Sequence, residues 1–213
     1  MYNLPYFKGT DQSEILAFMK SYPFVFLSGC DVDNNPITTQ VPVFIDEREG
    51  KLFINGHIMK QTDHHKAFLQ NSNALVVFTG PHTYVSATWY DETQKEQAST
   101  WNYMSVHAKG KIRFGDESEL IEILKRLSLH YENGNTESST VFDNLSPEYV
   151  GQMMKAIVAF EIEVTDLQHV FKMSQNRNEA SYDNIIKKLK EKGDDAKRVG
   201  EIMEERKSKV FKT

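Results

Sequence analysis

With 213 residues, 39% hydrophobic and 11% aromatic, the chain is long enough to bury one sizeable core, and its formal charge is −5. It contains no run of about 18 apolar residues, so no membrane span is expected, and "MYNLPYFKGTDQ" lacks the basic start and apolar stretch of a secretory signal. The one cysteine, Cys30, excludes an internal disulfide and a cysteine-only metal site, and a cytoplasmic protein is the expectation.

Charge is unevenly placed. Residues 1–170 carry 13 Lys and Arg against 22 Asp and Glu, whereas 171–213 carry 12 against 8. The acidic body repels a phosphate backbone at long range, while the basic tail offers a surface for one. The plainer reading of the tail is a solvated helical face.

In chain order, "TDQSEILAFMK" predicts a first helix, with Asp11 and Glu14 at capping-box spacing ahead of Ile15, Leu16, Phe18 and Met19. The texture then changes. "FVFLSG", "NPITTQVPVFI", "KLFING", "ALVVFTG", "TYVSATWY", "TWNYMSVHAKGKIRF", "IVAFEIEV" and "QHVFKMS" are short, rich in β-branched and aromatic residues, and separated by turn chemistry such as "DVDNN", "DEREG" and "GP". Runs at this spacing predict an antiparallel barrel or sandwich, not alternating βαβ units. Three helices interrupt them: "TDHHKAFLQN" capped by Thr62, "DESELIEILKRLSLHYEN" with Asp116 and Glu119 at capping-box spacing, and "SPEYVGQMMKAI" with Ser146 at the cap and Pro147 first. After Arg177, "EASYDNIIKKLKEKG" and "DDAKRVGEIMEERK" read as two helices, each with a narrow apolar stripe that needs a partner surface.

The sequence carries no Rossmann or P-loop glycines, no nucleophile elbow and no HExxH. The seven histidines are scattered, and His64 and His65 are adjacent, so on a helix they do not face one another. What remains are polar strand ends. "INGHIMKQTDHHKAF" runs from a strand into a helix start, where unpaired N–H groups and His57, Lys60 and Gln61 make either a phosphate site or an ordinary turn. "STWNYMSVHAKG" sets Trp101 and Tyr103 on one side of a strand and Asn102 on the other, as core or as a surface for a planar heterocycle. "KMSQNR" gathers Lys172, Ser174, Gln175, Asn176 and Arg177; it is either a ligand set for the dioxo edge of a flavin or a polar cap on the barrel mouth.

"GHIMKQ", "GPHTYVSATWY", "TWNYMSVHAKGKI", "AIVAFEIEV" and "KMSQNR", in this order, resemble the PaiB-type family of FMN-binding negative transcriptional regulators. The resemblance implies a mainly β protein: a six-stranded antiparallel split β-barrel of the pyridoxamine-phosphate-oxidase type over 1–178, with flanking helices. Residues 179–213 follow as a basic helical extension packed on the barrel or on a partner subunit. It further implies a homodimer with FMN at the subunit interface. The phosphate would meet His57, Lys60, Gln61 and Thr62. The ring would lie along Thr39, Gln40 and Val41 and meet Lys172, Ser174, Gln175 and Arg177, with Trp101 and Asn102 completing the pocket. Three positions depart from the family pattern: Gln40 stands where His is expected, Lys60 where Arg is usual, and Ala87 where Pro is usual.

The resemblance favours a regulator. Direct DNA binding would fall to the tail, through Lys187, Lys188, Lys190, Lys197 and Arg198. The alternative is an FMN-dependent oxidoreductase using a nicotinamide donor, in which the cofactor performs the chemistry and no conspicuous catalytic residue is needed. A haem-handling barrel with His169 as ligand is the third reading.

Overall fold

The computed structural model describes residues 4–8, 11–91 and 96–211. Among these the helices are α1 (Gln12–Ser21), α2 (Asp63–Gln70), α3 (Glu117–Tyr131), α4 (Pro147–Ala156), α5 (Glu179–Lys190) and α6 (Asp194–Val210). The strands are β1 (Phe24–Cys30), β2 (Pro36–Pro42), β3 (Phe44–Arg48), β4 (Lys51–Met59), β5 (Asn73–Val85), β6 (Thr100–Phe114) and β7 (Ile157–Lys172). They form one sheet in the order β2-β1-β5-β6-β7-β4-β3, and the pairs β1–β2, β1–β5, β3–β4 and β4–β7 are antiparallel. No described helix is long and apolar enough to cross a membrane.

The mainly β, antiparallel expectation holds, but the described sheet has seven strands, not six. The run "NPITTQVPVFI" divides at Val43 because the chain changes partner there: β2 pairs with β1, and β3 with β4. Other runs merge. Gly80-Pro81, read as a turn, lies inside β5, and a Cβ on Gly80 would stand 2.7 Å from the Phe18 ring. That glycine serves close approach, not chain reversal. "TYVSATWY" stops being a strand at Val85; Ala87–Trp89 is a 3-10 turn capped by Ser86. "IVAFEIEV" and "QHVFKMS" are two halves of β7.

Local chemistry accounts for the reversals that do occur. The β3–β4 hairpin turns on Glu49 and Gly50, at φ 52° and 75°, the mirror-image turn whose twist suits a hairpin. Between β1 and β2 the Asp31 carboxylate accepts the backbone N–H groups of Asp33 and Asn35, each at 2.9 Å. Helix starts follow the sequence: Thr62 accepts from the His65 N–H, Asp116 and Glu119 form a full capping box, and Ser146 caps α4 ahead of Pro147.

The chain forms two compact units, one of Pro23–Val77 and His107–Leu167, the other of Met1–Tyr22, Phe78–Val106 and Gln168–Thr213. The first holds β1 to β4, and its core includes Val25, Leu27, Ile54, Val76 and Ile162, all fully buried. On the helical side Leu120 of α3 packs with Ile157 and Ala159 of β7. Arg113 joins Glu119 and Glu161, and Arg126 bonds both oxygens of Asp46.

The second unit buries Met19, Phe78, Phe171 and Met173 together with Tyr182, Ile185, Leu189, Val199 and Met203 of α5 and α6. Each such side chain is worth about 1.5–3 kcal/mol when taken from water, and this packing of their apolar faces is the main source of stability for α5 and α6. The Tyr182 hydroxyl donates to the Met203 carbonyl at 2.9 Å, and burial pushes its pKa up to about 12. Arg206 of α6 pairs with Glu14 of α1.

Candidate functional site

The sequence-predicted residues fall into two sets, one in each unit. In the first unit, β4 delivers His57 to the strand end, and Met59 through Thr62 turn the chain into α2. His57 Nδ1 is buried and has no hydrogen-bond partner among the described residues. Burial holds its pKa below the ordinary histidine value, so the ring is neutral at pH 7. Lys60 is exposed, and its backbone N–H is anchored on the Ala156 carbonyl at 2.8 Å. Gln61 follows in the left-handed region, φ 66°, which a glutamine occupies only when its surroundings hold it there.

The holding group is one that sequence reasoning missed. The Gln61 backbone N–H donates to Nδ1 of His65 at 3.3 Å. Thr62 is the N-cap of α2 and His65 is the third helical residue, so the imidazole reaches back as the Glu of a capping box does, one residue further. Histidine three residues past a threonine cap was the available signal. Thr62 Oγ1 donates to the Met59 carbonyl at 3.0 Å and lies 3.0 Å from His64 Nε2, while His64 Nδ1 sits 3.0 Å from Asp63. A cavity of about 480 Å³ opens beside the corner, lined by Lys60 and Lys155 with Asp116, Leu120, Met154 and Val158. The Asp116 carboxylate is already committed to the Ser118 hydroxyl and the Glu119 N–H.

Thr39, Gln40 and Val41 lie on β2, packed in register against Leu27, Phe26 and Val25 of β1. Strand alternation divides them: Val41 is buried with the Thr39 side, and Gln40 is exposed on the face it shares with the half-exposed Phe26.

The second set is bonded within the second unit. Asn102 is fully buried; its Oδ1 accepts from the Ser174 hydroxyl at 3.0 Å and its amide lies 3.4 Å from Met203 Sδ. Ser174 is itself left-handed, φ 58°. Gln175 folds back on its own strand, accepting the Met173 N–H at 2.6 Å and donating to Phe171. Lys172 donates to Thr100, and desolvation followed by the neighbouring Arg177 holds its pKa below the usual lysine value. Arg177 donates to Gln97 at 2.9 Å and lies 3.9 Å over the Tyr90 ring. Trp101 is the exposed member, 53% accessible, near His82 and Tyr84. His169 packs on Phe171.

Residues 1–166 match a family model described as "Putative FMN-binding domain". The chain is 35% identical over 207 residues to the protease synthase and sporulation protein PAI 2 of Bacillus subtilis, covering 97% of this chain and 98% of that one. Among solved structures it is similar to an FAD- and haem-binding protein from Mycobacterium smegmatis, at a TM-score of 0.57 with 14% identity over 77% of this chain and 72% of that one. It is also similar to the flavocytochrome Anf3 from Azotobacter vinelandii, at 0.56 with 15% identity over 80% and 72%. These two likenesses show a shared fold. The family match and the Bacillus relative together establish that the chain belongs to the FMN-binding, PaiB-type family.

Proposed function

We propose that this protein is a flavin-binding regulator that holds the phosphate of FMN at the corner between β4 and α2. The observation that carries this reading is the buried His57 Nδ1 with no partner among the described residues, beside Lys60 and the capped start of α2. A buried nitrogen left unbonded costs about 1–3 kcal/mol, and an N–H there would donate to a phosphate oxygen. Lys60 supplies the charge as a compact ammonium, without the two-pronged geometry of arginine. The Gln61 side chain and the positive end of the helix add donors. Asp63, in the same first turn, works against an anion and keeps the affinity moderate. FMN, when bound, supplies the hydride and electron chemistry. The polar side chains of the second set are read as the internal closure of their own unit.

The regulatory role rests on the PaiB-type resemblance and on the Bacillus relative, whose name refers to protease synthase and sporulation. We read the protein as a homodimer, which sedimentation tests. In the tail, Lys188, Lys190, Arg198 and Lys207 each lie within 4 Å of a carboxylate. Exposed pairs of this kind are worth at most about 1 kcal/mol, so a duplex could displace them. Lys187→Glu with Lys197→Glu is the variant for that question, since truncation would strip the buried Tyr182 and Met203 from the core.

The primary experiment is a titration of the purified chain with FMN, followed by visible absorbance and flavin fluorescence. The proposal expects saturable binding that His57→Ala and Lys60→Ala each weaken by about tenfold. Absence of binding refutes it. Bound flavin that turns over with NADH or NADPH replaces the regulator with the oxidoreductase.

A further inference from the structure

The geometry points to His65 as a positioning residue: its Nδ1 holds the Gln61 N–H, locks the left-handed turn, and thereby sets Lys60 and Gln61 for an anion. This rests on the flavin placement proposed above and adds the group that builds the corner. Four observations converge on it. Gln61 is a non-glycine residue at φ 66°, a conformation that needs an external hold. Its N–H has its hydrogen bond to the imidazole, at 3.3 Å. His65 is 8% exposed, with its ring 4.8 Å from Phe114 of β6, so it cannot swing away. Its own backbone N–H is taken by Thr62 Oγ1, which fixes the ring's starting point.

A nitrogen that accepts carries no proton, so the His65 ring is the neutral tautomer with hydrogen on Nε2. Protonating Nδ1 replaces an acceptor with a donor facing another donor, and the bond to Gln61 is lost. The charged neighbours oppose that protonation: burial is the largest effect, followed by His64, Lys60 and Lys66, while Asp63 is occupied by His64. The corner is therefore closed at neutral pH and opens in acid, and the anion-binding residues loosen with it.

Two variants separate positioning from mere packing. His65→Leu keeps apolar bulk and removes the acceptor; His65→Asn offers a carbonyl oxygen near the place of Nδ1. The first readout is hydrogen exchange at the Gln61 amide in the full chain without flavin. Losing one hydrogen bond corresponds to about tenfold faster exchange in His65→Leu, with most of the protection restored in His65→Asn. In the native chain the same loss appears as the pH is lowered well below the ordinary histidine value, after correction for intrinsic exchange, and it is absent from both variants. The second readout is FMN affinity, expected to fall about tenfold in His65→Leu and to recover in His65→Asn. An equally protected Gln61 amide in His65→Leu overturns the inference, whatever FMN does. A loosened amide with unchanged FMN affinity upholds His65 as the lock on the turn and instead removes the flavin from this corner.

Discussion

Replacing Asn102 with alanine should cost stability and leave flavin binding intact. Asn102 is fully buried and bonds Ser174 at 3.0 Å, 72 residues away in the chain. Truncation leaves the Ser174 hydroxyl, itself 3% exposed, without its acceptor, a loss of about 1–3 kcal/mol. The vacated space adds roughly 0.5 kcal/mol. Against a total stability of about 5–15 kcal/mol, a loss of about 1.5–3.5 kcal/mol is large. It corresponds to a melting temperature lower by about 3–14 °C. Urea denaturation of Asn102→Ala, Ser174→Ala and the double variant isolates the pair. A coupling of about 1 kcal/mol or more is expected, since contacting residues that share a hydrogen bond are not additive. Additive single effects, or an Asn102→Ala chain of native stability with weakened FMN binding, would refute the assignment of this asparagine to internal closure.

Further outcomes follow from the same physics. Gly110→Ala should abolish or severely reduce folded protein in expression trials, because its Cβ would stand 2.1 Å from the Glu163 carbonyl oxygen, a backbone atom with no freedom to yield. Arg206→Ala should lower the urea midpoint by the equivalent of about 1–3 kcal/mol, since it leaves the mostly buried Glu14 carboxylate with Lys209 at 3.7 Å in place of its close guanidinium partner; a native midpoint would show the pair to be incidental. Burial depresses the pKa of His57, His65 and His107. A depressed histidine contributes stability that is fully present above its ordinary value of 6.5 and is lost as the pH falls towards its folded value. Urea midpoints should therefore drop between pH 7 and pH 5, and a flat profile over that range would contradict the burial of these rings.

Much of the fold was legible in the chain because its signals are local. Thr62, the Asp116–Glu119 pair and Ser146-Pro147 each announce a helix with hydrogen bonds spanning a few residues, and each helix starts there. Strand count was harder, because it depends on partners. Nothing near Val43 says that the chain exchanges β1 for β4, and Gly80-Pro81 carries turn chemistry that the Phe18 ring turns to close packing instead. The two site sets show the same division. His57, Lys60, Gln61 and Thr62 are consecutive enough to read as one corner. The bond between Asn102 and Ser174, and that between Arg177 and Gln97, join residues 72 and 80 positions apart, and no spacing rule reveals them. His65 went unrecognised for a different reason: an adjacent pair that does not share a helix face gives no sign of a joint role, and only its place three residues past the cap distinguishes it.

The central claim, a flavin phosphate held by Lys60 and His57, is tested most directly by comparing FMN with riboflavin, which lacks the phosphate. The native chain should bind FMN at least about tenfold more tightly than riboflavin, the worth of one charge-assisted contact, and Lys60→Ala should erase most of that preference. Equal affinity for the two flavins in the native chain, or a preference that survives in Lys60→Ala combined with His57→Ala, would contradict the account.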